Sequence, residues 1–149
     1  MKKFQCSVIV DRPLGQVVEL FKDPNNLAEW QDGFIGLEHL SGSPGAEGAR
    51  TKFRYRMGKG EMELVETIIR NDLPREFMGE YWHKHMTNTM RYWFEPVGDD
   101  QTRYSSEVHY TEFRNMTMKI MAFLFPGVFK RQVQKWMNQF KAFVERSSA

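Results

Sequence analysis

Polar and apolar residues alternate with a period of two over much of the first 113 positions, and after that the period lengthens to that of a helix. The alternation is clearest at Thr51, Phe53, Tyr55 and Met57, which interleave with Lys52, Arg54 and Arg56. Such a strand has one apolar and one cationic face and is half buried. Residues 3–10 predict an earlier strand, ended by Asp11-Arg12-Pro13. Val17, Val18 and Phe21 then follow at helical spacing, which predicts a short helix over 14–22, with Pro13 suited to its first turn. Asp23 to Asn26 reads as a turn or cap, and Leu27 to Trp30 as a second short helical piece. Strands are predicted over 33–40 and 61–70, the latter after the hairpin turn Gly58-Lys59-Gly60 and with its alternation slipping near Val65, as at a bulge. Three more follow over 76–86, 87–96 and 102–113.

Beyond Asn115, Met118, Met121, Ala122 and Phe125 form one helical stripe, which Pro126-Gly127 interrupts. The last helix, 128–146, carries Phe129, Val133, Trp136, Met137, Phe140, Phe143 and Val144 on one side and Lys130, Arg131, Lys135 and Lys141 off it. A face this bulky needs a large apolar partner, and the strands are the available one. One choice of strand parity places Phe77, Tyr81 and His83 on the inner face with Met90, Tyr92 and Phe94, and with Tyr104, Ser106, Val108 and Tyr110. All five tyrosines then share that face, Tyr55 included, while Trp82, Arg91, Trp93, Arg103 and His109 lie opposite.

At 149 residues the chain is expected to form a single domain over 1–149, large enough for a real core. Ten methionines and 14% aromatic residues suit an irregular or adaptable interior. A formal charge of +2, with acids and bases interspersed, argues against a nucleic-acid surface. One cysteine, Cys6, allows no internal disulfide, and no run has the length of a signal core or a membrane span, so a cytoplasmic protein is expected. Serine-nucleophile motifs, phosphate-binding glycine loops and paired-cysteine metal spacings are missing, so no cofactor or metal is expected.

The order strand, two short helices, about six antiparallel strands and a long C-terminal helix resembles the helix-grip fold. Val8-Ile9-Val10-Asp11-Arg12-Pro13, with Val17, Phe21, Asp23-Pro24 and Leu27-Ala28-Glu29-Trp30, resembles the opening of polyketide cyclase/dehydrase-like proteins of the START/SRPBCC superfamily. Tyr92-Trp93-Phe94-Glu95-Pro96, followed by Thr102-Arg103, resembles that superfamily's penultimate hairpin. The resemblance implies an α+β fold in which a curved antiparallel sheet of about seven strands wraps around the long helix. It also implies a cavity between the two that holds a hydrophobic molecule.

Three readings of function follow. In the first, the protein binds a hydrophobic or aromatic small molecule, lipid or polyketide-like. The sheet side of its cavity would be Phe53, Tyr55, Met57, Met62, Tyr81, Met90, Tyr92, Phe94, Tyr104, Ser106 and Tyr110, and the helix side Met121, Phe125, Phe129, Val133, Trp136, Met137 and Phe140, with Trp30 near the entrance. In the second, it is a cofactor-independent cyclase or dehydratase, with His83 as general base, Glu66 as its neighbour, and tyrosines as acids or oxyanion donors. His83 and His85 would share a strand face, a spacing that can also serve a metal, although no third ligand is fixed by spacing. In the third, an outer face bearing Trp82 and Trp93 dimerises or binds a partner, or its tryptophans simply pair with arginines. Cys6 reads as a small core or edge residue, and His39 and His109 receive no role.

Overall fold

The computed structural model describes residues 3–147. Alternating segments become strands β1 (Lys3–Val10), β2 (Phe34–Ser41), β3 (Arg50–Met57), β4 (Gly60–Asp72), β5 (Glu76–His83), β6 (Met86–Pro96) and β7 (Thr102–Phe113). Between β1 and β2 lie α1 (Leu14–Lys22), a 3-10 turn (Pro24–Asn26) and the short α2 (Leu27–Trp30), and after β7 come α3 (Met116–Leu124) and α4 (Pro126–Arg146). The strands form one antiparallel sheet in the order β1-β7-β6-β5-β4-β3-β2, so the first strand closes against the last. This is the expected α+β helix-grip architecture, a long C-terminal helix held against a seven-stranded sheet.

Three boundaries differ from the sequence reading. The bulge in β4 lies at Ile69, between the pairs Ile68–Gly79 and Arg70–Met78, and not near Val65. Met62, Leu64, Glu66 and Ile68 therefore keep one parity, while Val65 pairs with Trp82 on the outer face, which is why two consecutive apolar residues occur there. Lys84 and His85 are not strand residues but the turn joining β5 to β6, closed by the His83–Met86 pair. Finally, the expected break between the two helices falls at Phe125, and α4 starts at Pro126 instead of 128, because the first helical position needs no N–H.

α4 runs along β1 and meets α2 near its C-terminal half. β1 is an edge strand, and its outward carbonyls would be an unpaired template for another chain. α4 covers them: Gln134 Nε2 donates to the Ser7 carbonyl at 3.2 Å and Lys141 Nζ to that of Ile9 at 2.8 Å. Beneath this seam Tyr104, Met137, Phe140, Val10, Val17 and Val144 are fully buried. Phe21 of α1 stands at the centre, with ring centroids 5.0 Å from Phe94, 5.2 Å from Tyr92 and 6.0 Å from Phe140. The end of the inner face nearest α1 and α2 is thus packed solid. Helix contact with β4 and β5 is slight among the described residues: Phe21 of α1 meets Phe77 of β5 with ring centroids 6.2 Å apart, and the inner-face side chains of the two strands are largely half-buried.

Candidate ligand-binding site

Strand register sets Glu66, Tyr81, Asn88 and Tyr110 in one row across the inner face. Within it, the Tyr81 hydroxyl donates to Glu66 Oε2 at 2.7 Å. The pair depends on Gly79: a Cβ there would meet the Tyr81 hydroxyl at 3.0 Å and two of its ring carbons at 3.1 Å. The tyrosine therefore lies along its own strand, over a position with no side chain. Burial pushes the Glu66 carboxyl above its ordinary value, and the hydrogen bond from Tyr81 offsets part of that shift. Burial likewise raises Tyr81, with the Glu66 charge adding to it, so its phenol keeps its proton and remains a donor.

Two more tyrosines surround this pair. Tyr55 donates to Gln31 Oε1 at 2.8 Å in the interior and stacks on Trp136 of α4, centroids 5.3 Å apart. The Tyr92 hydroxyl reaches the Met90 sulfur at 3.0 Å, a weak acceptor. Burial is the main cause raising the phenols of Tyr55, Tyr92, Tyr104 and Tyr110. Farther in, Ser106 Oγ contacts the Met137 sulfur at 3.2 Å. The Tyr104 hydroxyl and the indole N–H groups of Trp30 and Trp136 are buried with no hydrogen-bond partner among the described residues. Buried donors are ordinarily satisfied, so an oxygen-bearing molecule or water against the Trp136 N–H would remove a real penalty.

The five tyrosines do share the inner face. Phe53, Tyr55, Tyr92, Phe94, Tyr104, Ser106 and Tyr110 are buried on the sheet side, and Met137 and Phe140 on the helix side. Met62, Met90, Val133 and Trp136 pack half-buried against them, and Phe129 meets Tyr110 at 5.4 Å. Trp30, expected near an entrance, is core instead, sandwiched between Phe21 and Phe140. Three expected lining residues point away from the interior. Met57 is 57% exposed where β3 enters its turn, beyond the reach of α4, and Met121 and Phe125 are exposed because only Ala122 of α3 is buried and Phe125 follows the helix end. Two shallow depressions, about 280 and 350 Å³, lie on the side of α4 turned from the sheet, around Gln139 and Ala142. Neither is the cavity expected between sheet and helix.

The pairing of His83 with Glu66 is also replaced. Nδ1 of His83 accepts from the His85 backbone N–H at 3.1 Å, and its carbonyl accepts from Arg114. Burial, then the neighbouring His85, Lys84 and Arg114, lower its basicity. Glu66 is joined to Tyr81 instead. No group of three or more metal-binding side chains is gathered among the described residues. Gln31 and Gly79 were missed by the sequence reading. Gln31 is a polar residue in a loop, and Gly79 resembles an ordinary strand glycine until the tyrosine two positions later is seen lying on it. On the outer face, Arg91 covers Trp93 at 4.4 Å and Arg114, rather than a residue of the sheet face, covers Trp82 at 5.3 Å. Cys6 is buried, its thiol raised by burial.

A family model described as polyketide cyclase / dehydrase and lipid transport matches residues 1–142. No curated protein sequence matches. Among solved structures, the protein TTHA0849 of Thermus thermophilus superposes with a TM-score of 0.79 at 14% identity, covering 99% of this chain and 100% of its own. The Zhui aromatase/cyclase of a Streptomyces species gives 0.79 at 11% identity, with 97% and 94% covered. A major latex-like protein of Panax ginseng gives 0.68 at 13% identity, with 95% and 96% covered. At these identities the structural likeness concerns the fold.

Proposed function

Because this chain belongs to the polyketide cyclase/dehydrase and lipid transport family, within the START/SRPBCC superfamily, we propose that it binds a hydrophobic, oxygen-bearing small molecule on the inner face of its sheet. The observation that carries the reading is the Glu66–Tyr81 pair, a half-buried acid and phenol set among Tyr55, Tyr92 and half-buried methionines on strands that the helices cover only in part. Apolar walls with a few directed polar groups are the usual make-up of a small-molecule site. The unpartnered Trp136 N–H, on a half-buried ring stacked against Tyr55, favours a ligand with carbonyl or hydroxyl oxygens, as a polyketide-like aromatic has, over a plain hydrocarbon chain.

Native mass spectrometry of freshly purified protein should detect a co-purified small molecule. Thermal melts with a panel of aromatic polyketones and fatty acids should show a larger rise with the former, because a ligand at a hundred times its Kd adds about 2.7 kcal/mol. Trp136→Phe, which keeps a stacking ring and deletes the donor, should weaken binding of an oxygenated ligand about five- to tenfold, the worth of one hydrogen bond. A bare mass together with no shift from any compound would overturn the proposal.

The raised Glu66 carboxyl favours one second reading. A carboxyl raised above its ordinary value by burial, beside a phenol and against an apolar face, can pass a proton to or from a bound enol, as a cyclase or dehydratase requires. Glu66→Gln would then bind the same ligand but leave it unconverted, whereas a pure carrier would return the ligand intact with either residue.

A further inference from the structure

Helix α3 turns its bulky side outward. Met116, Ile120, Phe123 and Leu124 recur at i, i+4, i+7 and i+8 and so share one face, yet Met116 is 70%, Phe123 73% and Leu124 65% exposed. The buried residue of this helix is only Ala122. Exposed Phe125 and Val128 carry the surface across the break into α4. A helix of a globular protein ordinarily does the reverse, and an apolar surface this continuous marks a contact site.

Charge identifies what it contacts. Residues 113–144 contain six Lys or Arg and no Asp or Glu, whereas the whole chain has 21 and 19, so the other residues hold 15 bases against 19 acids. Lys119, Lys130 and Arg131 are exposed around the apolar surface, and none is paired with a carboxylate among the described residues. A second copy of the chain would bring these cations against their own counterparts across a two-fold contact. Between Met116 and Val128 the only polar side chains are Thr117 and Lys119, too few for the hydrogen bonds that a protein interface carries per unit area. A bilayer surface needs none.

We propose that the α3–α4 junction docks onto an anionic lipid surface, with Ile120, Phe123, Leu124 and Phe125 in the acyl boundary and Lys119, Lys130 and Arg131 at the headgroup phosphates. This docking does not depend on any ligand at the inner face. Full-length protein, sedimented with vesicles of phosphatidylcholine containing a minority of phosphatidylglycerol, should pellet with them. It should bind pure phosphatidylcholine vesicles about tenfold more weakly or worse, and lose the difference at high salt. Ile120→Ser/Leu124→Ser should abolish pelleting with an unchanged far-ultraviolet circular dichroism spectrum. Should that variant unfold, Lys130→Glu/Arg131→Glu, at exposed positions of α4, supplies an independent loss. The proposal is overturned if anionic vesicles do not bind the wild type, if a folded variant of either kind binds them equally well, or if the surface is engaged only in a lipid-free dimer or by poly-glutamate.

Discussion

Folding changes the chemistry of Glu66 in a way that its sequence neighbours do not suggest. A carboxyl raised by folding holds its proton more tightly in the folded than in the unfolded state. Its contribution to stability is therefore full below the unfolded value of about 4.3 and is lost as pH rises through the folded value. Glu66→Gln still accepts from Tyr81 and does not titrate. The melting-temperature difference, variant minus wild type, should grow in the variant's favour from about pH 4 upward and level off above the folded value; a difference flat with pH would falsify the raised carboxyl. Gly79→Ala should displace the Tyr81 ring and cost the hydrogen bond, about 1–3 kcal/mol in urea denaturation. In a Tyr81→Phe background, where that bond is already gone, the same change should cost less, and strict additivity would exclude the contact. Strand parity alone made the tyrosine face legible in the sequence. Which polar atoms met was not legible, because the bulge position decides whether Glu66 faces inward, and the turn at Lys84-His85 decides what His83 can touch.

At the scale of elements, α4 is where burial and charge separate most cleanly. Its apolar spacing predicted the side that meets the sheet, and Met137, Phe140, Phe143 and Val144 are its buried residues. Phe140 contacts Phe21, Trp30 and Tyr104 within a filled interior, so Phe140→Ala should lower stability by about 3–5 kcal/mol by chemical denaturation. Lys135→Ala removes only an exposed ion pair with Asp32 and should cost about 0–1 kcal/mol. Near-equal losses would mean that the core is not organised around this helix. α3 shows the opposite limit of the same reasoning. Met118, Met121, Ala122 and Phe125 read as an inward stripe, but a nine-residue helix with few neighbours buries only the smallest of them. Periodicity reports that a face exists, and the partner's position decides whether it is covered.

Across the whole molecule, β1 is held by β7 on one side and by α4 along its length, which ties the two ends of the described chain together, and the stability this brings is unevenly spread. Val10, in β1, is fully buried, and the Thr102 hydroxyl opposite donates to the Arg12 carbonyl at 2.9 Å. Lys141 of α4 binds both Ile9 and Glu145, and Arg12 bonds the Glu145 carbonyl, so strand and helix are clamped at one corner. Strand β7 lies between β1 and β6 with half of its residues buried, whereas the other edge strand, β2, is largely exposed and twice irregular in register. Amide exchange by local opening follows such differences in burial, and the slowest amides report global unfolding. Hydrogen-exchange mass spectrometry should therefore find peptides from 103–110 and 137–144 exchanging together at the slowest rate, with those from 34–41 at least about a hundredfold faster, the equivalent of roughly 2.7 kcal/mol less opening free energy. Equal protection of β2 and β7 would show a sheet that opens as one unit. A faster β2 would instead leave the rigid half of the grip at the β1–β7–α4 seam and the adjustable half at β2–β4, beside Glu66 and Tyr55, where an inner-face ligand would have to be admitted.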